Sequence, residues 1–425
     1  MTPSIKQRIE QIRRGEVPEG YKQTGQNIVP ITWKRLSFDQ VAVVRSGLVS
    51  PKAEPYSSML HIGPENIEKD TGKIENVRSA SELGLISGKF YFDSSSIVYS
   101  KIRPNLNKVC VPDFEGICSA DCYSIKARND IDKNYLFVLM LSHQFYKRAV
   151  ACSMRTGMPK INQDDLNAIC LVLPEDFAEQ QKIAAILTTQ DKVIELKEKR
   201  LTEKLRQKKY LMQQLLTGRK RLPRYVGEWR TLPLKYLSEK QKKKNVGFQY
   251  SLVLSNSAQH GIVLQDQEFT KEIGNAERID GYYIVVPGAF VYNPRISISA
   301  PCGPINVNET GKTGIVSPLY IVFSISAPEI DQIFLRYYFQ SSCWYKYVKG
   351  VANYGARHDR ISISDEDFFE MPIPLPTKDE QTAIAQVLST ADREISLLRQ
   401  DIEKEKQKKK ALMQLLLTGI VRVNV

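Results

Sequence analysis

The stretch from residue 179 to 218 occurs a second time, from 380 to 419, at a constant offset of 201 residues and without a gap. Any fold open to this chain must accommodate two copies of one long element. Agreeing positions include Glu179/Glu380, Gln180/Gln381, Ile183/Ile384, Leu187/Leu388, Asp191/Asp392, Ile194/Ile395 and Leu196/Leu397. Both copies end on Leu-Met-Gln-x-Leu-Leu-Thr-Gly, at 211–218 and 412–419. So long a period is not a solenoid; a whole module is written twice.

Neither copy contains proline, and both are dense in Ala, Leu, Glu, Lys, Gln and Arg. Each reads as one long helix that a glycine in the left-handed conformation would end. About forty residues at 1.5 Å each make a rod of roughly 60 Å. Apolar side chains recur every seven residues at Leu187, Ile194 and Leu201, and again at Leu388, Ile395 and Ile402. This is the pattern of a coiled-coil seam, and these six are the candidate helix-pairing residues. Lys208 and Lys409 interrupt the row at its next step, where they set a register or admit something else. The first helix leaves one globular unit for a second and the second helix returns, so antiparallel pairing and a pseudo-twofold dumbbell are expected.

The chain of 425 residues is long enough for several cores, and the repeat resolves it into two globular modules and two spacers. A net charge of +13 favours a polyanionic partner, without separating nucleic acid from an acidic membrane surface. No apolar run is long enough to span a bilayer, and the first residues show no export signal. The seven cysteines are scattered, with no second pair or histidine pair at zinc spacing after Cys118 and Cys122. Reduced thiols in a cytoplasmic protein without a metal are the expectation.

The expected boundaries are an N-terminal segment, 1–32, packing near the C-terminal helix; a first module, 33–174; spacer helix and linker, 175–228; a second module, 229–376; and the second spacer, 377–425. In the segment Ile5, Ile9 and Ile12 share one helical face. Each module opens on tryptophan, Trp33 or Trp229, and continues with strand-like runs. These are residues 40–45, 88–99 and 116–126 in the first, and 250–254, 281–292 and 315–325 in the second. Helical stretches follow at 133–151 and 329–348. The fold class is α+β. Asn162 and Ser364 are placed to cap a short turn near each module's end, and a β-like exit at 171–174 or 373–376 leads into the spacer.

Leu173-Pro174 before Glu179-Gln180-Gln181-Lys182-Ile183-Ala184, and Leu375-Pro376 before Glu380-Gln381-Thr382-Ala383-Ile384-Ala385, together with the paired helix endings, resemble the specificity subunit of type I restriction-modification systems over the whole chain. The resemblance implies target-recognition domain, spacer, target-recognition domain, spacer. It implies a non-catalytic chain in which each domain reads one half of a bipartite, asymmetric double-stranded DNA target while the helices fix the unread gap. It implies as partners two modification subunits, which bind S-adenosylmethionine and methylate adenine, and restriction subunits, which bind ATP and carry the nuclease. No cofactor is then expected on this chain.

The residues agree with that absence. Asn293-Pro294-Arg295 lacks the second proline and aromatic of an amino-methyltransferase loop. Gly311-Lys312-Thr313 lacks the leading glycine of a phosphate loop and reads as a hairpin turn. Asp191, Glu195 and Lys197 have nuclease-like chemistry but lie on a helix. The four histidines are isolated from one another. A fused methyltransferase or nuclease, or a protein-only scaffold, are the alternatives.

Candidate DNA-binding residues are basic, amide or ring side chains on loops. In the first module these are Lys101, Arg103, Asn105, Arg155 and Lys160; in the second, Arg295, Tyr354, Arg357, His358 and Arg360. They occupy like places both times, a loop after a Val-Tyr strand and a loop before the capping turn. Ordinary surface loops are the plain reading of any one of them. The basic stretches on the spacers, and the clusters 219–221 and 242–244, are either solvated faces or phosphate and docking contacts.

Overall fold

The repeated stretches form two helices of equal length, Phe177–Leu215 and Lys378–Leu416, with 39 residues each. At 1.5 Å per residue each is about 58 Å long. Gly218 and Gly419 follow them with φ of 69° and 72°, the conformation that ends a helix and that side chains disfavour. The computed structural model describes residues 3–25, 27–153, 159–264, 276–353 and 359–424. Two units emerge: Met1–Glu198 with Asp401–Val425, and Lys199–Gln400. Each helix is therefore divided, one half to each unit.

In the first unit the core gathers Trp33, Phe38, Tyr99, Tyr135 and Phe145 with Ile183, Ala184 and Leu187 from the start of one helix and Leu416 and Leu417 from the end of the other. The second unit does the same with Phe290, Tyr292, Phe323 and Trp344, Ile384, Ala385 and Leu388, and Leu215 and Leu216. Thus the repeated Leu-Leu before Thr-Gly is core, contributed by a helix end to a module.

The modules share one sheet. In the first unit its order is Val109–Cys110, Ser96–Ser100, Cys122–Ala127, Ala42–Val44; in the second it is Ile305–Val307, Phe290–Tyr292, Ile321–Ile325, Ser238–Lys240. The exit strand pairs antiparallel with the entry strand in both, Cys170–Pro174 with Trp33–Ser37 and Pro372–Leu375 with Arg230–Pro233. Beyond this they diverge. The first unit adds a five-stranded sheet centred on Gly116–Cys118; among its described residues the second adds two-stranded pairs, Leu254–Ser257 with Gly261–Leu264 and Tyr283–Val285 with Gly314–Val316.

Several expectations change in detail. The run 40–45 begins as a helical turn, Phe38–Val41, before its strand. The helix expected at 133–151 is two, Lys133–Leu141 and His143–Cys152, because Ser142 ends the first and caps the second. The 329–348 stretch likewise divides into Gln332–Gln340 and Tyr345–Val351. Gly311 does turn the chain, with φ of 72°, but it joins strands of different sheets and closes no hairpin.

The N-terminal helix, Pro3–Arg13, and a hairpin of Tyr21–Thr24 with Asn27–Pro30 belong to the first unit. The Tyr21 hydroxyl donates to the Gly419 carbonyl at 2.8 Å, beside the end of the second spacer helix. A side chain at Gly419 would collide with Pro30 at 2.5 Å, so glycine is required there twice over.

Candidate nucleic-acid interface

Within each unit the helix halves run antiparallel, and the pairing is written in ions. In the first unit Lys409 meets Asp191 at 2.6 Å, and Lys197 meets Asp401 and Glu405, each at 2.7 Å. In the second Lys208 meets Asp392 at 2.5 Å and Lys204 meets Glu394 at 2.6 Å. Lys208/Asp392 and Lys409/Asp191 are one pair at the repeat offset. The lysines that interrupt the apolar seam therefore set its register, each closing on an aspartate of the other helix. Along the seam Leu187, Ile194, Leu388, Ile395 and Ile402 are buried and Leu201 is half-buried.

The repeated Glu-Gln at the helix start has an equally specific task. Glu179, 1% exposed, accepts hydrogen bonds from Nε and Nη2 of Arg422, and Glu380, 0% exposed as a residue, accepts them from Nε and Nη2 of Arg221. The Gln180 amide nitrogen donates to Pro174 O at 3.1 Å while its oxygen accepts from Asp132 N at 2.9 Å. Gln381 repeats both bonds with Pro376 O and Asp331 N, at 3.1 and 2.9 Å. Asp132 and Asp331 in turn cap the first helix of each module. A single glutamine thus fastens spacer to exit strand and module helix. The sequence displayed this signal as identical polar residues beside core positions.

Two expectations about the cations are corrected. Arg221 is no free phosphate contact: besides Glu380 its guanidinium lies 5.7 Å from the Trp229 ring centre. Much of the basic spacer surface is likewise spent between helices, and Asp191 and Lys197 serve as ion-pair partners. Lys242, Lys243 and Lys244 are exposed.

The candidate reading loops come together in both modules. In the first, Arg103 N donates to Pro159 O at 2.7 Å and Ile161 N to Lys101 O at 2.9 Å, so Ile102 and Lys160 bridge. In the second, Ile296 N donates to Asp359 O at 3.1 Å and Ile361 N to Pro294 O at 3.0 Å, bridging Arg295 and Arg360. The same clasp is built from different side chains. Its hydrogen bonds place Arg360 where Lys160 stands and Arg295 where Ile102 stands.

Arg103, Asn105, Lys160 and Arg295 are exposed. Arg103 has a φ of 49°, which turns the chain into the short helix Pro104–Leu106. Lys101 is half-buried, its ammonium 5.3 Å from the Tyr123 ring centre and 5.9 Å from that of Phe90. Burial first, then the neighbouring charge of Lys160, lowers its pKa. Arg360 pairs with Asp359 at 3.6 Å, and its buried Nε has no hydrogen-bond partner. Arg155, Tyr354, Arg357 and His358 lie outside the described residues.

Other candidates stand apart from this interface. His61 is buried on Leu60–Ile62 with neither ring nitrogen partnered, and burial lowers its pKa. Among the described residues no group of His, Cys, Asp and Glu could hold a metal, and no helix is long and apolar enough to cross a membrane.

Comparison with known proteins agrees with this geometry. The family model for the type I restriction modification DNA specificity domain matches residues 64–207 and 289–406, together more than half of the chain. The EcoDI type I restriction enzyme specificity subunit of Escherichia coli is 39% identical over 181 residues, 43% of this chain and 38% of that protein. The chain thus matches little more than a third of that subunit's length. The putative MjaX specificity subunit of Methanocaldococcus jannaschii is 26% identical over 446 residues, 95% of this chain and 97% of that protein. Among solved structures, a chain of a type I R-M system studied for complex assembly and conformational transition superposes with a TM-score of 0.61 at 17% identity, covering 92% of this chain and 99% of that one. The HsdS subunit from Thermoanaerobacter tengcongensis gives 0.50 at 16%, covering 94% and 100%. At such identities these two likenesses concern the fold. The chain belongs to the family of type I restriction-modification DNA specificity subunits, non-catalytic DNA-recognition proteins, and carries the family's specificity domain twice.

Proposed function

We propose that each unit reads one half of a bipartite, asymmetric DNA target, and that the paired spacer helices set the number of unread base pairs between the halves. The observation that carries this is the clasp of loops at Lys101–Arg103 with Pro159–Ile161, repeated at Pro294–Ile296 with Asp359–Ile361: one backbone arrangement presenting different side chains. A common frame with unlike readers suits two unlike half-sites.

The helices repeat more than their seam. Leu196 and Leu397, at the repeat offset, are 56% and 57% exposed. Two equal exposed positions support two copies of one partner, and the partners we assign are modification subunits that bind S-adenosylmethionine and methylate adenine. Restriction subunits that bind ATP complete the assembly in this reading, which places the protein in the cytoplasm. The test is a genome-wide map of methylated adenine with and without this gene, the modification partner held constant. A bipartite motif with a fixed gap that vanishes on deletion is expected. An unchanged methylome would refute the reading.

A further inference from the structure

The loop after Arg295 ends in a side chain that local chemistry does not explain. Ile298 has 105% of its reference exposure, while Ala300 and Cys302, just beyond it, are buried at 4% and 0%. Ser297 N donates to Ala300 O at 3.1 Å and Ala300 N donates back to Ser297 O at 3.2 Å, so Ile298 and Ser299 form the tip of a tight turn. The base is closed as well: Gly303 N donates to Ala300 O at 3.0 Å, and Arg295 N donates to the Asn293 side chain, also at 3.0 Å. Asn293 is itself held by Asn256 O at 3.1 Å. Tight turns favour Gly, Asn and Asp, and a β-branched apolar residue at such a tip gains nothing from the turn.

A lone exposed apolar side chain is ordinary on a protein surface. The setting of Ile298 is not. It projects from the loop that forms half of the clasp, beyond exposed Arg295, which bridges Arg360, whose Nε faces Asp359 at 3.6 Å without a hydrogen bond. Its shoulders are Ser297 and Ser299, with hydroxyls 3.2 Å apart. Ile296, 36% exposed, is a second apolar residue of the same loop; so small an apolar feature, with polar shoulders on a basic base, suits a DNA groove better than a broad apolar protein surface. On the base edges of duplex DNA the apolar group presented in the major groove is the thymine 5-methyl.

We propose that Ile298 determines specificity by packing against the 5-methyl group of a thymine in the half-site read by the second unit. This rests on the DNA-reading function proposed above. Removing one buried methyl contact weakens binding about fourfold.

The experiment uses the full chain assembled with its modification partner and its mapped target. Each thymine of the second half-site is replaced in turn by deoxyuridine, which lacks only that methyl, and binding is measured for wild type, Ile298→Ala and Ile298→Val. One position is expected at which deoxyuridine weakens the wild type about fourfold, has no effect on Ile298→Ala and retains an effect on Ile298→Val. Equal deoxyuridine penalties in wild type and Ile298→Ala at every position, or a second half-site without thymine, would overturn the proposal while leaving DNA reading intact. A wild-type assembly with no sequence preference would overturn the reading on which it rests. Because Ile298 is fully exposed, thermal denaturation of Ile298→Ala is expected to match wild type, and a lowered midpoint would assign the residue to stability instead.

Discussion

In the spacer helices the two copies repeat particular side-chain interactions, whereas in the modules they repeat the backbone plan. Lys208/Asp392 and Lys409/Asp191, Glu380/Arg221 and Glu179/Arg422, and Gln381 and Gln180 are the same interactions made twice. The modules keep the order of one four-stranded sheet and the hydrogen bonds of one loop clasp, yet differ in their second sheets and in the residues that the loops present. The difference identifies two kinds of constraint. A helix that must pair with its own copy and start from a fixed exit strand cannot change one partner without the other. A loop that faces outward is free to vary once its backbone is clasped.

The largest effects are expected where the helices enter the cores. Leu187→Ala and Leu388→Ala, both fully buried, should each cost about 2–5 kcal/mol in chemical denaturation. Markedly unequal costs would break the equivalence of the copies. Leu201→Ala should cost less than Ile402→Ala, since Leu201 is half-buried and Ile402 only 4% exposed. Arg422→Ala and Arg221→Ala leave a buried carboxylate without its cation, and a loss of about 1–3 kcal/mol is expected from each. Adding Glu179→Gln to Arg422→Ala should recover part of that loss, a coupling read by a double-mutant cycle.

Smaller again are the caps. Asn162 accepts from Asp165 N at 2.7 Å and Ser364 from Asp367 N at 3.0 Å, so alanine at either should cost about 1 kcal/mol in thermal denaturation. The last effect is one of pH. Hydrogen bonds from Lys197 and then Gln190 hold the Glu405 carboxyl down at about 2. A depressed carboxylate stabilises the fold fully above its unfolded value, roughly 4.3, and that contribution disappears as pH falls towards about 2. Glu405→Gln should therefore melt below wild type at neutral pH, with the gap closing between pH 4.5 and 2. A gap independent of pH would remove the charge from the account.

The repeat made most of the fold legible. A gapless offset exposes the seam, the glycine stops and the two-module plan, because pairing and capping follow from residue type and spacing. Breaks inside elements were harder. Ser142 divides one expected helix into two because the residue that ends one helix also caps the next, and an unbroken apolar pattern hides that. The loops of the clasp were visible as basic and polar stretches in like places, but their register was not. It depends on hydrogen bonds between segments some sixty residues apart, such as Arg103 with Pro159 and Ile296 with Asp359. Nor could charge alone show that Arg221 is spent on Glu380, since its partner lies 159 residues away.

The central claim is that the helices are the ruler and the modules the readers. The direct measurement adds one heptad to each helix, after Glu198 and after Arg399, which preserves the seam and lengthens both by about 10 Å, or about three base pairs. The methylated motif is then mapped. Both half-sites should be unchanged with a gap longer by about three base pairs. An altered half-site with the original gap would contradict the account.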